Sequence, residues 1–463
     1  MISLKNIFEL EKIVINYLEN SELPLIYFIL TFFSAVNLRN LIEVYFVSNS
    51  IINIELYKHY TSFSIALAMS LIILFAIITK AEVVKIAKVI LPSFIILVSV
   101  PLFDLIINSG NLHYTEIWQP GYMIPGIHDD IVIRFFTFFG DFKKFGITPG
   151  MRLEIALVLL FSFIFFRLKN LPIFKCFVST ILTYFIIFLF LSTPFIIKCI
   201  FDLIKIAYSL SDSLIFNFYV LIIFITGVWL TYLTNGEYFV IIINDIRPFR
   251  LIHFELMYLL GLIVGSKFVV FNFDYLNIFN FVFTLISIAF AWLFSVLTNN
   301  IEDYNIDKIS NQGRPLINSN MNVQMYKKLS WAFLLASIFF AIIVNFRTAF
   351  IITLFIGNYF LYSIPPFRFK RIPFFSKLFI SLNSILLVIL GFLQVTNSLQ
   401  KFPKPLFYIF LLGFTAAINF IDLKDFEGDK QSGIKTLPVL FGLKKAKVVI
   451  GIFLLYAIFQ YIK

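Results

Sequence analysis

Long apolar segments alternate with short polar ones along most of the chain. Segments 177–191 and 281–297 contain no charged residue. As helices they are long enough, or nearly so, to cross the roughly 30 Å hydrocarbon core of a bilayer. The pattern therefore predicts an all-α, polytopic membrane protein. Its expected spans lie near residues 24–47, 61–79, 89–107, 151–166, 176–197, 213–234, 251–270, 276–298, 330–346, 348–364, 378–396, 405–421 and 446–461.

A polar turn at residues 235–237, Asn-Gly-Glu, separates the six spans before it from the seven after it. Turn-forming residues between two groups of spans are typical of a domain boundary. We therefore predict an N-terminal multi-pass membrane domain of about six helices over 1–235, with unknown function, and a second domain over 236–463. Within the first span, Arg39 and Glu43 lie one helical turn apart and are interpreted as an ion pair that faces the bundle interior.

Composition excludes the soluble globular class, since 60% of the residues are hydrophobic, 14% are charged and the mean hydropathy is +0.93. The formal net charge of +11 would suggest a nucleic-acid partner in a soluble protein. Membrane topology explains it better, because a cytoplasmic N-terminus gives the cytoplasmic segments about twice as many Lys and Arg residues as the opposite side. We therefore expect an integral membrane protein that binds no nucleic acid.

Two acidic segments interrupt the apolar pattern, each directly after an expected span and on the expected cytoplasmic side. Asn299, Asp303 and Asp307 recur every four residues and form one stripe on a helix, as do Asp425 and Asp429. Carboxylates gathered at a membrane boundary repel one another unless a cation lies among them, and oxygen ligands suit Mg²⁺. The sequence therefore predicts Mg²⁺ binding at these two segments.

Other polar motifs accompany the acidic segments in a fixed order. The first segment is followed by Arg-Pro at 314–315, and the second by Gly-Ile-Lys-Thr-Leu-Pro at 433–438. Between them lies Tyr-Ser-Ile-Pro-Pro-Phe-Arg-Phe-Lys at 362–370, whose cations are expected at the same cytoplasmic face of the membrane. Taken together over residues 247–463, these motifs resemble those of the UbiA superfamily of intramembrane prenyltransferases.

The resemblance implies that the second half is a UbiA-like helical bundle and an enzyme, a prenyltransferase. Such an enzyme would move a prenyl group from an isoprenoid diphosphate to a lipophilic or amphiphilic acceptor of the chlorin, ether-lipid glycerol or quinone-precursor type. The resemblance also implies that the acidic positions bind Mg²⁺ and the diphosphate at the cytoplasmic side of the membrane. These positions are Asn299, Asp303, Asp307, Asp425 and Asp429, of which the four aspartates would be catalytic.

The chemistry of prenyl transfer gives the basic residues a role. Breaking an allylic carbon–oxygen bond leaves negative charge on the diphosphate, which Mg²⁺ and preorganised cations stabilise. Candidates for contacting the diphosphate oxygens are Arg314, Arg368, Lys370 and Lys424. Further candidates are Asp422, Tyr362 and His253, the last for orienting the acceptor or accepting its proton.

Two departures from the family pattern affect these expectations. Asn300 occupies a position where many relatives carry Asp, which removes one negative charge. The family core has nine spanning helices, whereas the pattern predicts seven after Arg247, so we expect a sequence truncated at its C-terminus. Merged helices, or a bundle completed by helices of the first half, are the alternatives. The alternative function is a non-catalytic membrane protein that binds or translocates isoprenoid lipids.

Overall fold

The structure, a computed structural model, places its described residues in helices and in no strand, which confirms the predicted all-α class. The described residues are 4–43, 54–107, 131–139, 148–269, 274–310, 313–318, 321–424, 426–431 and 435–462. The chain divides into two compact units, Met1–Gly236 and Glu237–Lys463.

The N-terminal unit is a set of helices of very different lengths. They are α1 (Leu4–Glu19), α2 (Leu25–Glu43), α3 (Ile54–Thr79), α4 (Val83–Ser93), α5 (Ser99–Ile107), α6 (Ile131–Phe136), α7 (Pro149–Leu168), α8 (Ile173–Leu191), α9 (Thr193–Ile204) and α10 (Asp212–Thr234). A 3₁₀ turn, Phe94–Val98, joins α4 to α5.

Polar side chains fix the start of α7. The Thr148 side chain accepts a hydrogen bond from the backbone N–H of Met151 at 3.1 Å, and Pro149 opens the first turn. The buried Asp104 carboxylate of α5 accepts a second one from the backbone N–H of Gly150 at 2.8 Å. A helix start leaves such N–H groups without intrahelical partners, so these contacts satisfy them and join α5 to α7.

Charged and polar side chains also join other helices of this unit. His59 Nδ1 lies 3.0 Å from Asp212 Oδ1 and connects α3 to the start of α10. The Lys169 ammonium donates to the Glu19 carboxylate at 2.6 Å and connects the end of α7 to α1.

Arg39, near the end of α2, has an environment that the sequence did not indicate. Its guanidinium donates to Asn40 Oδ1 at 3.3 Å and lies 4.6 Å from the centroid of the Tyr60 ring of α3. The Glu43 side chain lies outside the described residues. The ion pair expected between Arg39 and Glu43 therefore stays a prediction.

The second unit begins within α11 (Gly236–Asp245) and continues through long and short helices. They are α12 (Pro248–Ser266), α13 (Tyr275–Glu302), α14 (Tyr304–Ser310), α15 (Pro315–Asn318), α16 (Val323–Val344), α17 (Phe346–Ser363), α18 (Phe375–Thr396), α19 (Lys404–Tyr408), α20 (Phe414–Lys424), α21 (Phe426–Gln431), α22 (Leu437–Phe441) and α23 (Leu443–Ile462). A 3₁₀ turn, Phe369–Arg371, precedes α18, and a π-helical turn, Ile409–Gly413, joins α19 to α20.

Two glycines let α12 and α18 pack with their backbones in contact. A Cβ atom at Gly261 would clash with the carbonyl oxygen of Val388, and one at Gly391 would clash with that of Tyr258. Small residues are the usual means by which membrane helices approach this closely. The pairing of α12 with α18 therefore depends on the absence of a side chain at these two positions.

Buried hydrogen bonds between serines join α13 to α16. The Ser287 hydroxyl donates to the Ser337 carbonyl at 2.8 Å, and the Ser337 hydroxyl donates to the Ser287 carbonyl at 2.9 Å. Both serines are fully buried. Such reciprocal bonds satisfy polar groups that lipid cannot satisfy, and they fix the register of the two helices.

Within the described residues, nine helical stretches are long and apolar enough to cross a bilayer, which agrees with the predicted polytopic class. They are Leu25–Ile42, Tyr57–Thr79, Val83–Ile107, Ile173–Leu191, Asp212–Thr234, Pro248–Ser266, Tyr275–Glu302, Val323–Val344 and Phe375–Thr396.

Helices also occupy the other four expected spans, but their composition or shape differs from that of an uninterrupted apolar span. The helix α7 carries Arg152, Glu154 and Arg167, and α23 carries three lysines in its first turns. The segment expected at 405–421 is divided by its π-helical turn. For these four segments the expected membrane spans stay a prediction.

Candidate active site

The first acidic segment lies where α13 ends. This helix ends at Glu302, and Asp303 follows as its C-terminal cap with φ −90° and ψ 2°. Helical hydrogen bonding nevertheless continues, since the Asp303 N–H donates to the Asn299 carbonyl at 3.0 Å and the Asp307 N–H donates to the Asp303 carbonyl at 2.8 Å. The three residues with four-residue spacing therefore remain one turn apart, although they belong to two helices.

Asn299 and Asp303 both contact the basic segment that follows α17. Lys370 Nζ donates to Asp303 Oδ2 at 2.5 Å and to Asn299 Oδ1 at 2.9 Å. Arg368 Nη2 donates to Asp303 Oδ1 at 2.5 Å, and the Ser363 hydroxyl donates to Asn299 Oδ1 at 3.0 Å. Two motifs that are far apart in the sequence thus meet at one point, and oxygen atoms from both Asn299 and Asp303 converge on a single positive charge.

The charges at this point determine the protonation of Asp303. Partial burial favours its neutral form, but the hydrogen bonds and charges of Lys370 and Arg368 outweigh burial and hold the pKa of Asp303 below its usual value. Burial likewise lowers the pKa of Lys370, against the opposing effect of Asp303. Asp303 is therefore an ionised carboxylate at neutral pH, as a metal ligand must be.

Arg368 is held in an unfavourable state in two respects. Its backbone adopts φ 42°, in the left-handed region that costs a non-glycine residue about 1–3 kcal/mol. Its Nε atom is buried and has no hydrogen-bond partner in the described part of the chain. A buried donor without an acceptor is costly, so this side chain suits an anionic ligand that supplies further oxygen atoms.

Asn300, itself buried, lies at the centre of a second network, whose two arginines are partly exposed. Its Oδ1 atom accepts hydrogen bonds from Arg247 Nη2 at 2.9 Å and Arg314 Nη1 at 2.6 Å. Its Nδ2 atom donates to Asp245 Oδ1 and to the Tyr326 hydroxyl, each at 3.0 Å, and that hydroxyl donates to Asp245 Oδ2 at 2.6 Å. The amide therefore uses its acceptor and its donor at the same time, which a carboxylate could not do.

This network connects to the acidic stripe through Arg314, whose Nε lies 3.3 Å from Asp307 Oδ2. Sequence reasoning missed Asp245 and Tyr326, and it treated Asn300 only as a lost charge. Burial raises the pKa of Asp245, although hydrogen bonds from Tyr326 and Asn300 oppose this effect. The only sequence signal for Asp245 was its position close to Arg247, just before an expected span. No sequence signal pointed to Tyr326.

The second acidic segment is only partly described. Asp422, near the end of α20, lies 3.0 Å from Lys377 Nζ in the first turn of α18. Because the short chain before Lys377 contains Lys370, Asp422 lies at the same end of this unit as Asp303. Asp425 lies outside the described residues, as do the side chains of Lys424 and Asp429.

Two further candidates lie among aromatic side chains. His253 Nε2 is 3.0 Å from the Ser384 hydroxyl, and the imidazole stacks on Phe414 with ring centroids 5.5 Å apart. Tyr362 packs edge-on against Tyr359 with ring centroids 6.1 Å apart. The structure does not bring His253 into hydrogen-bond contact with any of the acidic candidates described above.

The residues at the end of α13 suit a hard cation bound to an anion. Asn299 and Asp303 supply oxygen atoms of the kind that Mg²⁺ prefers, and these oxygens already surround one cation, the Lys370 ammonium. Arg368 supplies an unsatisfied donor for an anion. Among the residues whose side chains are described, no three His, Cys, Asp or Glu side chains form a metal-binding group, and Asp425 and Asp429 are not among those residues.

Comparison with known proteins identifies relatives of this unit. The model of the UbiA prenyltransferase family matches residues 258–462. Digeranylgeranylglyceryl phosphate synthase of Pyrococcus horikoshii is 28% identical over 168 residues, which cover 34% of this chain and 55% of that enzyme. The 2-acyl-4-prenylphloroglucinol 6-prenyltransferase of Humulus lupulus is 31% identical over 175 residues, which cover 34% of this chain and 41% of that enzyme.

A solved structure of a UbiA homologue from Archaeoglobus fulgidus, bound to GPP and Mg²⁺, is 22% identical and aligns with a TM-score of 0.41. That alignment covers 48% of this chain and 76% of the homologue. The chain spans about half the length of the curated relatives it matches. The family match covers most of the second unit and contains every acidic and basic candidate from Asn299 to Asp429. Residues 258–462 therefore match the UbiA prenyltransferase family, which confirms the resemblance predicted from the polar motifs.

Proposed function

We propose that this protein is a Mg²⁺-dependent intramembrane prenyltransferase that moves a prenyl group from an isoprenoid diphosphate to a lipophilic or amphiphilic acceptor. The main support is that Asn299 and Asp303 meet Arg368 and Lys370 at one helix end, within the residues that match the UbiA prenyltransferase family. Carboxylates suit a metal and cations suit an anion, so the two together suit a metal-bound diphosphate.

The charge balance at Asp303 supports binding of the diphosphate. Two cations face this single carboxylate, which leaves positive charge in excess. Arg368 and Lys370 can turn from Asp303 to phosphate oxygens, and Arg368 brings an additional unpaired N–H to that contact. Asn299 and Asp303 are then free to hold Mg²⁺. Asp307, Asp425 and Asp429 are the remaining proposed ligands.

The proposed reaction breaks the allylic carbon–oxygen bond of the donor, joins that carbon to the acceptor and releases diphosphate and a proton. Bound Mg²⁺ would supply Lewis-acid stabilisation of the charge that develops on the diphosphate. Arg314, Arg368, Lys370 and Lys424 would stabilise the same charge by hydrogen bonding from fixed positions. Asp422 and Tyr362 are proposed to complete the site.

The acceptor is proposed only as a chemical class. The relatives are named for a glyceryl phosphate and a phloroglucinol, which are both amphiphilic. Ether-lipid glycerol, quinone-precursor and chlorin acceptors share this property. His253 is a proposed positioning group for the acceptor. The proposed site faces the cytoplasm, which the excess of Lys and Arg residues on the expected cytoplasmic side supports.

The test uses the purified full-length chain in nanodiscs with labelled geranylgeranyl diphosphate, Mg²⁺ and a lipid extract of the expressing cells. The measurements are diphosphate release and the appearance of labelled lipid. Asp303→Asn removes the charge that the basic segment neutralises, and activity should fall by on the order of a hundredfold or more. Glu302→Gln is the matched control, because Glu302 is the exposed neighbour of Asp303.

A labelled lipid that requires Asp303 but not Glu302 would support the proposal. Binding of the donor without diphosphate release, in wild type and with every lipid fraction supplied, would contradict it and favour the non-catalytic isoprenoid-binding protein. Equal loss of activity in both variants would also contradict the assigned role of Asp303. Size-exclusion profiles of the two variants show whether each one remains folded.

A further inference from the structure

The N-terminal unit contains a cavity of about 580 Å³ lined by its own helices. The walls come from α1 to α5, α7 and α8. Ligand pockets in proteins commonly measure about 300–1,000 Å³ and combine apolar walls with a few convergent polar groups. This cavity has the size of a binding pocket, and it exceeds the small voids that imperfect packing leaves.

The ionisable side chains of the lining gather near one end. The guanidinium of Arg39 lies 4.6 Å from the centroid of the Tyr60 ring, and the His59 ring stacks on Tyr60 at 5.4 Å. The Glu154 carboxyl of α7 is close enough to Arg39 to interact with its charge. Arg39, His59, Tyr60 and Glu154 all line the cavity. One end of the pocket therefore offers a cation, a carboxyl group and an imidazole to the same occupant.

The other end is apolar and far away along the same helices. Leu71 and Phe75 of α3 and Phe165 of α7 line it, and the rings of Phe75 and Phe165 are 5.4 Å apart. At 1.5 Å per residue, the helical rise from Tyr60 to Phe75 is about 22 Å, most of the roughly 30 Å hydrocarbon core. The cavity is therefore long and narrow, a shape that suits one extended hydrocarbon chain.

We propose that this cavity binds an amphiphile with one long hydrocarbon chain and an uncharged hydroxyl head, with the head against Arg39, His59 and Glu154. Above neutral pH, where the Glu154 carboxyl is ionised, an anionic head would be attracted by Arg39 but repelled by Glu154. A cationic head would be attracted by Glu154 but repelled by Arg39. A hydroxyl group can accept a hydrogen bond from the guanidinium and donate one to the carboxyl. It does so without bringing a new charge into an apolar pocket.

The test uses the full-length protein in nanodiscs and a diazirine-bearing analogue of geranylgeraniol as the probe, with labelled peptides mapped by mass spectrometry. Val158 of α7 lines the cavity, whereas Leu160 of the same helix is 52% exposed. Val158→Trp fills the cavity and Leu160→Trp is the matched control with the same new side chain. Val158→Trp should lower labelling of α3 and α7 about tenfold, as expected when a couple of methylene groups lose their burial.

Competition with unlabelled compounds tests the head group. Geranylgeraniol and hexadecanol should both compete with the probe, and the stronger of the two distinguishes an isoprenoid source from a fatty-alcohol source. At about pH 8, where the Glu154 carboxyl is ionised, palmitate should compete poorly with the wild type and better with Glu154→Gln, because that change removes the repelling charge. A Glu154 residue with only a structural role would leave this preference unchanged.

Three results would overturn the proposal: equal labelling of Val158→Trp and Leu160→Trp, labelling confined to lipid-facing positions, or palmitate competing as well as the alcohols in the wild type. The second result would mean that the probe meets the protein only from the bilayer. If Val158→Trp loses its monodisperse size-exclusion peak, Ser162→Leu, a smaller change at another lining residue, replaces it. Ser162→Leu should also lower labelling of α3 and α7, but by less than Val158→Trp.

Discussion

Replacing Asn300 with Asp tests the buried network at the end of α13. Asn300 Nδ2 donates to Asp245 Oδ1 and to the Tyr326 hydroxyl, each at 3.0 Å. A carboxylate at position 300 has no such donor, so the hydrogen bond to Asp245 is lost. The Tyr326 hydroxyl has one proton, and it would then lie between two carboxylates that both need a donor. Two carboxylates would then face each other in a site where both residues are 2% exposed.

The cost of Asn300→Asp can be worked from these contacts. A hydrogen bond with a charged partner contributes about 1.5–3 kcal/mol, and repulsion between the carboxylates adds to its loss. The guanidinium groups of Arg247 and Arg314 offset part of that repulsion. We expect the free energy of unfolding to fall by about 2–4 kcal/mol. For a unit of this size, that corresponds to a decrease in Tm of about 5–15 °C.

A second substitution should restore stability. In Asp245→Asn/Asn300→Asp the network again holds one carboxylate and one amide, with their places exchanged. Each single variant leaves the pair with two carboxylates or with none. The double variant should therefore recover at least half of the loss caused by Asn300→Asp, measured by thermal unfolding of the full-length protein in detergent. Asn305→Asp, an exposed change on α14, is the control and should shift stability by less than about 0.5 kcal/mol.

The pH dependence gives an independent check. Burial raises the pKa of Asp245, so the Asp245 carboxyl binds a proton more readily in the folded protein than in the unfolded chain. Its contribution to stability is therefore fully present below the unfolded pKa and is lost as pH rises through the folded value. A second carboxylate raises the pKa further. The Tm difference between Asn300→Asp and wild type should narrow as pH falls from about 8 to about 5.5. Two results would refute the reasoning. The first is a double variant whose loss of stability equals the sum of the losses in the two single variants, and the second is a Tm difference between Asn300→Asp and wild type that widens at low pH.

The remaining predictions concern helix packing and the proposed reaction. Gly261→Ala should prevent stable packing of α12 on α18 and abolish the monodisperse peak in size exclusion, whereas Gly357→Ala, with no atom within 4 Å of the added Cβ, should be tolerated. Ser287→Ala removes one donated hydrogen bond to α16 and should cost about 0.6 kcal/mol, and at most about 1.7, in denaturant unfolding. Arg368→Lys keeps the charge but loses the planar fork, so the KM for the diphosphate should rise and kcat should fall. Chelation of Mg²⁺ by EDTA should stop diphosphate release, and added Mg²⁺ should restore it; release that persists in EDTA would exclude the metal-dependent reaction.

The order of polar motifs along the chain indicated the family before any contact was known. The acidic spacing, the 362–370 segment and the motif at 433–438 are local features that can be read directly from the sequence. The family match over residues 258–462 confirms that interpretation. Asn300 shows the opposite case, because its sequence position indicated only a missing charge. The hydrogen bond that its amide donates to Asp245 and those that it accepts from Arg247 and Arg314 depend on residues from two other segments.

The sequence by itself determined that the chain is helical and membrane-spanning, because helix length, apolar content and charge are properties of contiguous residues. Only the tertiary structure decided which distant residues meet. The convergence of Asn299 and Asp303 on Lys370, the contact between Gly261 and the backbone of α18, and the long cavity beside Tyr60 all depend on how helices pack. Packing depends on side-chain shapes from several helices at once, so no local pattern along one helix specifies it.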